Sequence, residues 1–252
     1  MEIGGRVAFV TGAATGVGRA VCEALAARGA RGIGVGFYQG DEELAAEACI
    51  ALAAKGASAV PVLVDVRDEA QVRAGVAKVA DAWGTIDILV NSAGRTTPVP
   101  VKDLDAITDE LWNDIMDTNL RGTFYMCRAT ATYLKRQRGA IVNIGSIGGM
   151  RGPGSCIPYS LSKAGVHRLT ALLALALAPE VRVNAVAPGL VPTRLFAEVV
   201  GEQGPAVIEE RAAKVPLARV SSPDDIAATC IGLLEFDYVT GHVLPADGGE
   251  LL

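Results

Sequence analysis

Tyr159 and Lys163 stand four residues apart at the head of a run, 164–178, that is apolar at nearly every position and rich in Ala and Leu. Such a run favours helix, and positions i and i+4 of a helix share a face, so a phenol is set beside an ammonium. A tyrosine titrates near pH 10 in water, and a fixed positive charge a few ångströms away favours the phenolate and draws that value towards neutrality. The pair can then give a proton to a carbonyl oxygen or take one from an alcohol. With five Tyr and six Lys in 252 residues, a Tyr-x-x-x-Lys arises from composition in about one chain in eight, so the rest of the chain must decide its meaning. His167 and His242 are the only histidines, no Ser/His/Asp arrangement is evident, and His167 is assigned no role. The five cysteines are odd in number, widely spaced and never in Cys-x-x-Cys, which argues against a disulfide framework or a metal site and for a reduced, cytoplasmic setting. Cys156, three residues before Tyr159, reads as a small buried thiol.

The elements that would position these groups alternate along the whole chain. Short Val/Ile/Leu-rich runs predict strands near 6–11, 32–37, 59–65, 86–91, 139–145, 181–187 and 242–246. Helical patterns fall near 17–29, 41–55, 68–83, 108–136, 157–178 and 223–235, with another inside 193–212. This is the pattern of an α/β fold: a Rossmann-like, doubly wound sheet of about seven parallel strands with helices on both faces. Half of the 252 residues are apolar and no Pro/Ser-rich linker or charge block divides them, so a single domain over 1–252 is expected. The net charge of −5 is modest and mixed in sign, which leaves no basic stripe for nucleic acid and no polybasic anchor for a membrane. The N-terminus carries no visible export signal, and the longest apolar stretch, 169–179, is too short to span a bilayer.

The first strand runs into Thr11-Gly12-Ala13-Ala14-Thr15-Gly16-Val17-Gly18 and then a helix. Glycines let backbone approach a pyrophosphate, and the free N–H groups of the following helix face the anion. The same loop is also compatible with an ordinary tight strand-to-helix turn, and Arg19-Ala20 excludes a P-loop. Asp65 ends the third predicted strand, just before Val66, and Asn91-Ser92-Ala93-Gly94 ends the fourth, both at the carboxyl edge where dinucleotides bind. Asn119 lies within a long helical run, where a buried amide must be bonded, and Ser146 precedes Tyr159 by thirteen residues across a Gly-rich turn.

Taken together, these residues resemble the classical short-chain dehydrogenase/reductase family over the whole chain. Thr11 to Gly18 is similar to its Thr-Gly-x-x-x-Gly-x-Gly loop, and Asn91 to Gly94 to its Asn-Asn-Ala-Gly strand end, with Ser92 departing from the usual second Asn. Asn119, Ser146, Tyr159 and Lys163 match its catalytic tetrad, and Pro188-Gly189 with Thr193 its Pro-Gly-x-x-x-Thr segment. The resemblance implies an NAD(P)-dependent oxidoreductase that interconverts a ketone and a secondary alcohol by hydride transfer. It implies Tyr159 as acid/base, Lys163 lowering its pKa and bonding the nicotinamide ribose, Ser146 orienting the carbonyl, and Asn119 completing a proton relay. The cofactor contacts it implies are Gly12, Thr15, Gly16, Val17, Gly18, Phe37, Tyr38, Asp65, Val66, Asn91, Ala93, Gly94, Tyr159, Lys163, Pro188, Gly189, Val191 and Thr193.

Finer expectations follow. Phe37 stands where an acidic side chain would bond the ribose 2′-hydroxyl, and Phe37-Tyr38 resembles the Asn-Tyr of NADP-using ketoacyl reductases, so NADP(H) is favoured over NAD(H). No cation is evident in 39–43, and backbone N–H groups near Asp41 with Tyr38 and Gln39 are left to hold a phosphate; the acids at 41–43 fit an ordinary helix start better than a ribose contact. Segment 190–217, interrupted by Gly201, Gly204, Pro205 and Pro216, reads as a substrate lid, with Leu195, Phe196 and Val200 suiting a partly apolar small-molecule ketone or alcohol. An alternative is a 3-oxoacyl-carrier-protein reductase with Arg128, Arg136 and Arg138 as docking cations, and a different class is a non-catalytic dinucleotide-binding regulator. Leu169, Leu172, Leu173, Leu175 and Leu177 ring helix 157–178 more fully than one sheet contact requires, so a homotetramer packed through 108–136 and 157–178 is expected, as in similar family members.

Overall fold

Every strand of the sheet is short and nearly all apolar, as a parallel sheet covered on both faces demands. The computed structural model describes residues 1–152 and 154–252. Among the described residues the strands are β1 (Val7–Thr11), β2 (Gly32–Phe37), β3 (Ser58–Leu63), β4 (Ile88–Asn91), β5 (Ala140–Ile144), β6 (Arg182–Pro188) and β7 (Val243–Ala246). The helices are α1 (Gly16–Ala27), α2 (Glu42–Ala54), α3 (Glu69–Trp83), α4 (Asp109–Met116), α5 (Gly122–Gln137), α6 (Ile157–Leu177), α7 (Arg194–Val200), α8 (Gly204–Ala212) and α9 (Pro223–Glu235).

All pairings are parallel, in the order β3-β2-β1-β4-β5-β6-β7. The order reverses between β1 and β4, and the crevice above that reversal is where such sheets bind ligands. Both edge strands carry a proline, Pro61 in β3 and Pro245 in β7, which cannot donate to a further strand and so blunts the edge. Two apolar cores lie on opposite faces: one around Val10, Leu25, Ile33, Leu52 and Ile226, the other around Phe9, Val79, Leu89, Met126 and Ile141.

The predicted helix 108–136 is interrupted. Between α4 and α5 the chain takes one wider π turn, Asp117–Arg121, with Thr118 and Asn119 buried on its inner side. The expected third strand also ends early, at Leu63, so Asp65 lies in the turn beyond it, with its carboxylate on the backbone N–H of Arg67 at 2.9 Å. Among the described residues no helix is long and apolar enough to cross a membrane.

Candidate active site

Thr11, the last residue of β1, accepts the backbone N–H groups of Ser92 and Ala93 on its hydroxyl, both at 3.1 Å, and so ties the glycine loop to the end of β4. The contact leaves no room for a side chain at position 12. Gly12 has φ +60°, and a Cβ there would sit 3.0 Å from the backbone of Ala93. Thr15 occupies the N-cap of α1 without bonding the helix through its side chain, and the first turn contains no acid. The first N–H groups of α1 therefore face the crevice without a side-chain acceptor.

The crevice holds about 890 Å³ and is lined by the glycine loop, the ends of β2 and β4, the turn after β5, the start of α6 and the segment after β6. Its walls include Ser146 and every predicted cofactor-contacting residue except Asn91. Asn91 turns away from the crevice. Its amide donates to Asn143 Oδ1 at 2.8 Å and to Cys127 Sγ at 3.3 Å, and Asn143 in turn donates to Thr170 at 2.9 Å. These bonds stitch β4 to β5 and α6, although the Asn91 Oδ1 itself is buried without a hydrogen-bond partner among the described residues.

Ser146, Tyr159 and Lys163 are brought together by the Gly-rich turn lying down on α6. At Gly149 a Cβ would come within 2.6 Å of the Lys163 carbonyl carbon and the Ala164 nitrogen, so only glycine permits that approach. Ser146 accepts the Gly148 N–H at 3.1 Å, and its hydroxyl is near enough to the Tyr159 phenol to lower the pKa of that phenol. Lys163 is buried, donates to the Ile144 carbonyl at 2.8 Å, and holds its Nζ 5.8 Å from the centre of the Tyr159 ring. Cys156 is fully buried with Val99 and Ile115 against that ring, an apolar wall as expected.

The electrostatics differ from the sequence expectation. Burial raises the Tyr159 pKa above its ordinary value, and the bond from Ser146 only partly opposes this. The Lys163 ammonium is itself desolvated and drawn down to about 8. The protein environment alone therefore keeps the phenol protonated rather than making a phenolate. Asn119 is not on the crevice wall: its Oδ1 accepts the Arg95 N–H at 2.8 Å, and its Nδ2 donates to the Arg95 carbonyl at 3.0 Å and to Ser162 Oγ at 2.9 Å. It clamps the turn after β4 to α6 at Ser162, the residue before Lys163.

The comparisons with known proteins agree with this arrangement. A family profile described as enoyl-(acyl carrier protein) reductase matches residues 12–250. A Streptomyces violaceoruber protein assigned as ketoacyl reductase 2 of granaticin polyketide synthase is 39% identical over 251 residues, covering 98% of this chain and 96% of that one. The Escherichia coli 3-oxoacyl-[acyl-carrier-protein] reductase FabG is 34% identical over 254 residues, covering 99% and 98%. The chain belongs to the short-chain dehydrogenase/reductase family. A solved structure from Burkholderia xenovorans, assigned to the same family, superimposes with a TM-score of 0.90 at 32% identity over 98% of each chain. The protein is thus an oxidoreductase of short-chain dehydrogenase/reductase type, interconverting ketone and alcohol with a nicotinamide dinucleotide.

Several residues of this short-chain dehydrogenase/reductase site escaped sequence reasoning. His167 accepts the Ser146 N–H on Nε2 at 3.4 Å, and burial together with Lys163 lowers its pKa to about 4, so it is a neutral acceptor beneath the serine. Its i+4 spacing from Lys163 was the available signal. Arg67 bonds Asp65 and Asp114, reaches the Tyr38 hydroxyl at 3.1 Å and stacks 5.6 Å from that ring, walling one end of the crevice. Gly40 and Asp41 do not offer the free phosphate-binding N–H groups expected of them. The Gly40 N–H donates to the Glu42 carboxylate at 3.0 Å and the Asp41 N–H to the Tyr38 carbonyl at 3.1 Å. Arg128, Arg136 and Arg138 lie away from the crevice, Arg128 paired with Glu69; the cations that line it besides Lys163 are Arg67, Arg95, Arg151, Arg194, Arg211 and Lys214. On α7 the crevice side carries Leu195, Phe196 and Val199, whereas Val200 is off it, one residue from the expected position.

Proposed function

We propose that this chain is an NADP(H)-preferring reductase of 3-oxoacyl thioesters, with Ser146, Tyr159 and Lys163 at its reacting centre. One observation carries the reading: a protonated phenol, beside a serine hydroxyl and backed by a buried ammonium, on the wall of a dinucleotide-sized crevice. Two O–H groups side by side suit one carbonyl oxygen, which supports ketone reduction over reduction of a carbon–carbon double bond. The names of the granaticin and FabG relatives support the 3-oxoacyl class. Of the cations lining the crevice, Arg151 has no carboxylate partner among the described residues and suits the phosphate of a carrier-bound substrate.

The residues present fit a nicotinamide dinucleotide. Gly12, Gly16 and Gly18 with the open first turn of α1 would hold the pyrophosphate, Asp65 and Val66 the adenine, and Tyr159, Lys163, Gly189 and Thr193 the nicotinamide half. When bound, that group supplies the hydride. The chain supplies the proton and the field. Tyr159 transfers its phenolic proton to the carbonyl oxygen as the alcohol forms, and Ser146 donates a second hydrogen bond to that oxygen. Lys163, fixed by Ile144, stabilises the phenolate left behind. Asn119 acts through the backbone it clamps, holding the floor on which Lys163 sits.

The segment 190–217, whose α7 lines the crevice over the glycine loop, serves as the substrate lid. The functional unit is a homotetramer in the cytoplasm. The decisive experiment follows loss of reduced-nicotinamide absorbance with NADPH and NADH against acetoacetyl thioesters of coenzyme A and of an acyl carrier protein. Turnover of simple ketones or sugars with neither thioester reduced would overturn the substrate reading.

A further inference from the structure

An ion pair on the crevice wall joins two parts of the chain far apart in sequence. Arg194, the first residue of α7, donates from both terminal nitrogens to the Asp41 carboxylate, at 2.6 and 2.9 Å, across 153 residues of sequence. Its Nε is held by Glu198 at 3.3 Å, so the fork of the guanidinium is presented outward from the helix. Both partners line the crevice beside Tyr38. Arg194 is 46% exposed, so it is able to change partners. The other cation at this end, Arg67, is not: two carboxylates, Asp65 and Asp114, already hold it.

Asp41 is also oddly placed. It occupies the N-cap of α2, where an aspartate ordinarily accepts the first free N–H groups of the helix, yet it makes no such bond and points to Arg194 instead. Its carboxyl is held below the usual carboxylate range by that arginine. Released from Arg194, the Asp41 carboxylate has a second set of donors waiting in the first turn of its own helix. The backbone N–H groups of Gly40 and Asp41 are taken, so those two amides do not meet a phosphate arriving here, and the exposed guanidinium of Arg194 is the charged donor beside them.

We propose that Arg194 is the specificity residue that reads the 2′-phosphate of NADP(H), and that Asp41 is its resident competitor. The phosphate, a dianion with three acceptor oxygens, takes the guanidinium fork; Asp41 swings back to cap α2. Because Arg194 opens α7, and the Thr193 methyl before it packs on Gly16 of the pyrophosphate loop, the exchange ties α7 to the cofactor in place of the protein. This rests on the NADP(H) reading above and names the residue that carries it.

The test separates the two and needs no turnover. Adenosine 2′,5′-bisphosphate and adenosine 5′-monophosphate differ only in the 2′-phosphate, and their affinities for the full chain are measured by titration calorimetry. The wild-type chain should bind the bisphosphate about tenfold or more tightly than the monophosphate. Arg194→Met should remove most of that ratio while leaving the monophosphate affinity unchanged, and Asp41→Asn should raise it about threefold or more by freeing the arginine. Digestion of 190–217 by a protease should be slowed by the bisphosphate in the wild type and not in Arg194→Met. If the wild type shows no preference for the bisphosphate, the NADP(H) reading fails and this inference with it. If the preference is present and survives in Arg194→Met, or falls in Asp41→Asn, the role of Arg194 is overturned while the cofactor reading stands.

Discussion

Tyr159 is asked to give up a proton from a site that, by burial, holds it. Replacing it by Phe keeps the ring against Cys156 and Ile115 and removes only the proton, so kcat should fall roughly 100- to 10,000-fold with NADPH affinity changed no more than a few-fold. Steady-state rates and a fluorescence titration would check it, and comparable kcat in the two proteins would sink the mechanism. The same environment sets a pH dependence. With the Tyr159 pKa raised, the phenol stays protonated through neutral pH, the form ketone reduction needs. Lys163, lowered to about 8, is charged below that pH and loses its charge above it. Reduction kcat/KM should therefore be flat through neutrality and decline as the pH rises past about 8, whereas alcohol oxidation, which needs the phenolate, should rise into the alkaline range. A reduction rate that climbs steadily with pH would contradict both assignments.

At the scale of elements, β2 is the strand that lets the helices close on the sheet. Its sequence alternates Gly32, Gly34 and Gly36, and a Cβ on Gly34 would lie 2.5 Å from Val79 Cγ2 of α3. Gly34→Ala should lower stability by about 1–3 kcal/mol, and adding Val79→Ala should recover part of the loss relative to Val79→Ala alone. Urea unfolding of the three variants decides this, and an unchanged midpoint for Gly34→Ala would show that α3 shifts freely. The π turn at Asp117–Arg121 places Asn119 with four-way local bonding that a continuous α-helix would rotate away.

For the whole molecule, the unexplained surface is the outer face of α4, α5 and α6. Leu161, Leu172 and Leu175 are exposed there with Trp112 and Phe124, and a shallow apolar hollow lies between Met116, Leu120, Phe124 and Leu169. Apolar surface of that extent is normally covered, and the proposed tetramer covers it. Sedimentation at micromolar concentration should give a four-chain mass, and Leu172→Asp with Phe124→Asp should yield smaller species that still bind the bisphosphate. A monomeric wild type would refute the assembly.

Order and spacing along the chain determined the parallel sheet, the glycine loop and the Tyr159–Lys163 pair. Each of these rests on local periodicity, on turns a few residues long, or on an i, i+4 helix pair, all of which a sequence displays directly. What tertiary structure decided depends on groups distant in sequence and on how much water they lose. Asn91 belongs to the sheet centre because Asn143 stands opposite it, 52 residues away. Tyr159 is a protonated phenol because the surrounding walls desolvate it and its neighbouring ammonium alike, a balance no spacing reveals. Arg194 meets Asp41 only because the segment after β6 folds back across the crevice to the start of α2, a contact for which neither residue carries any local signal.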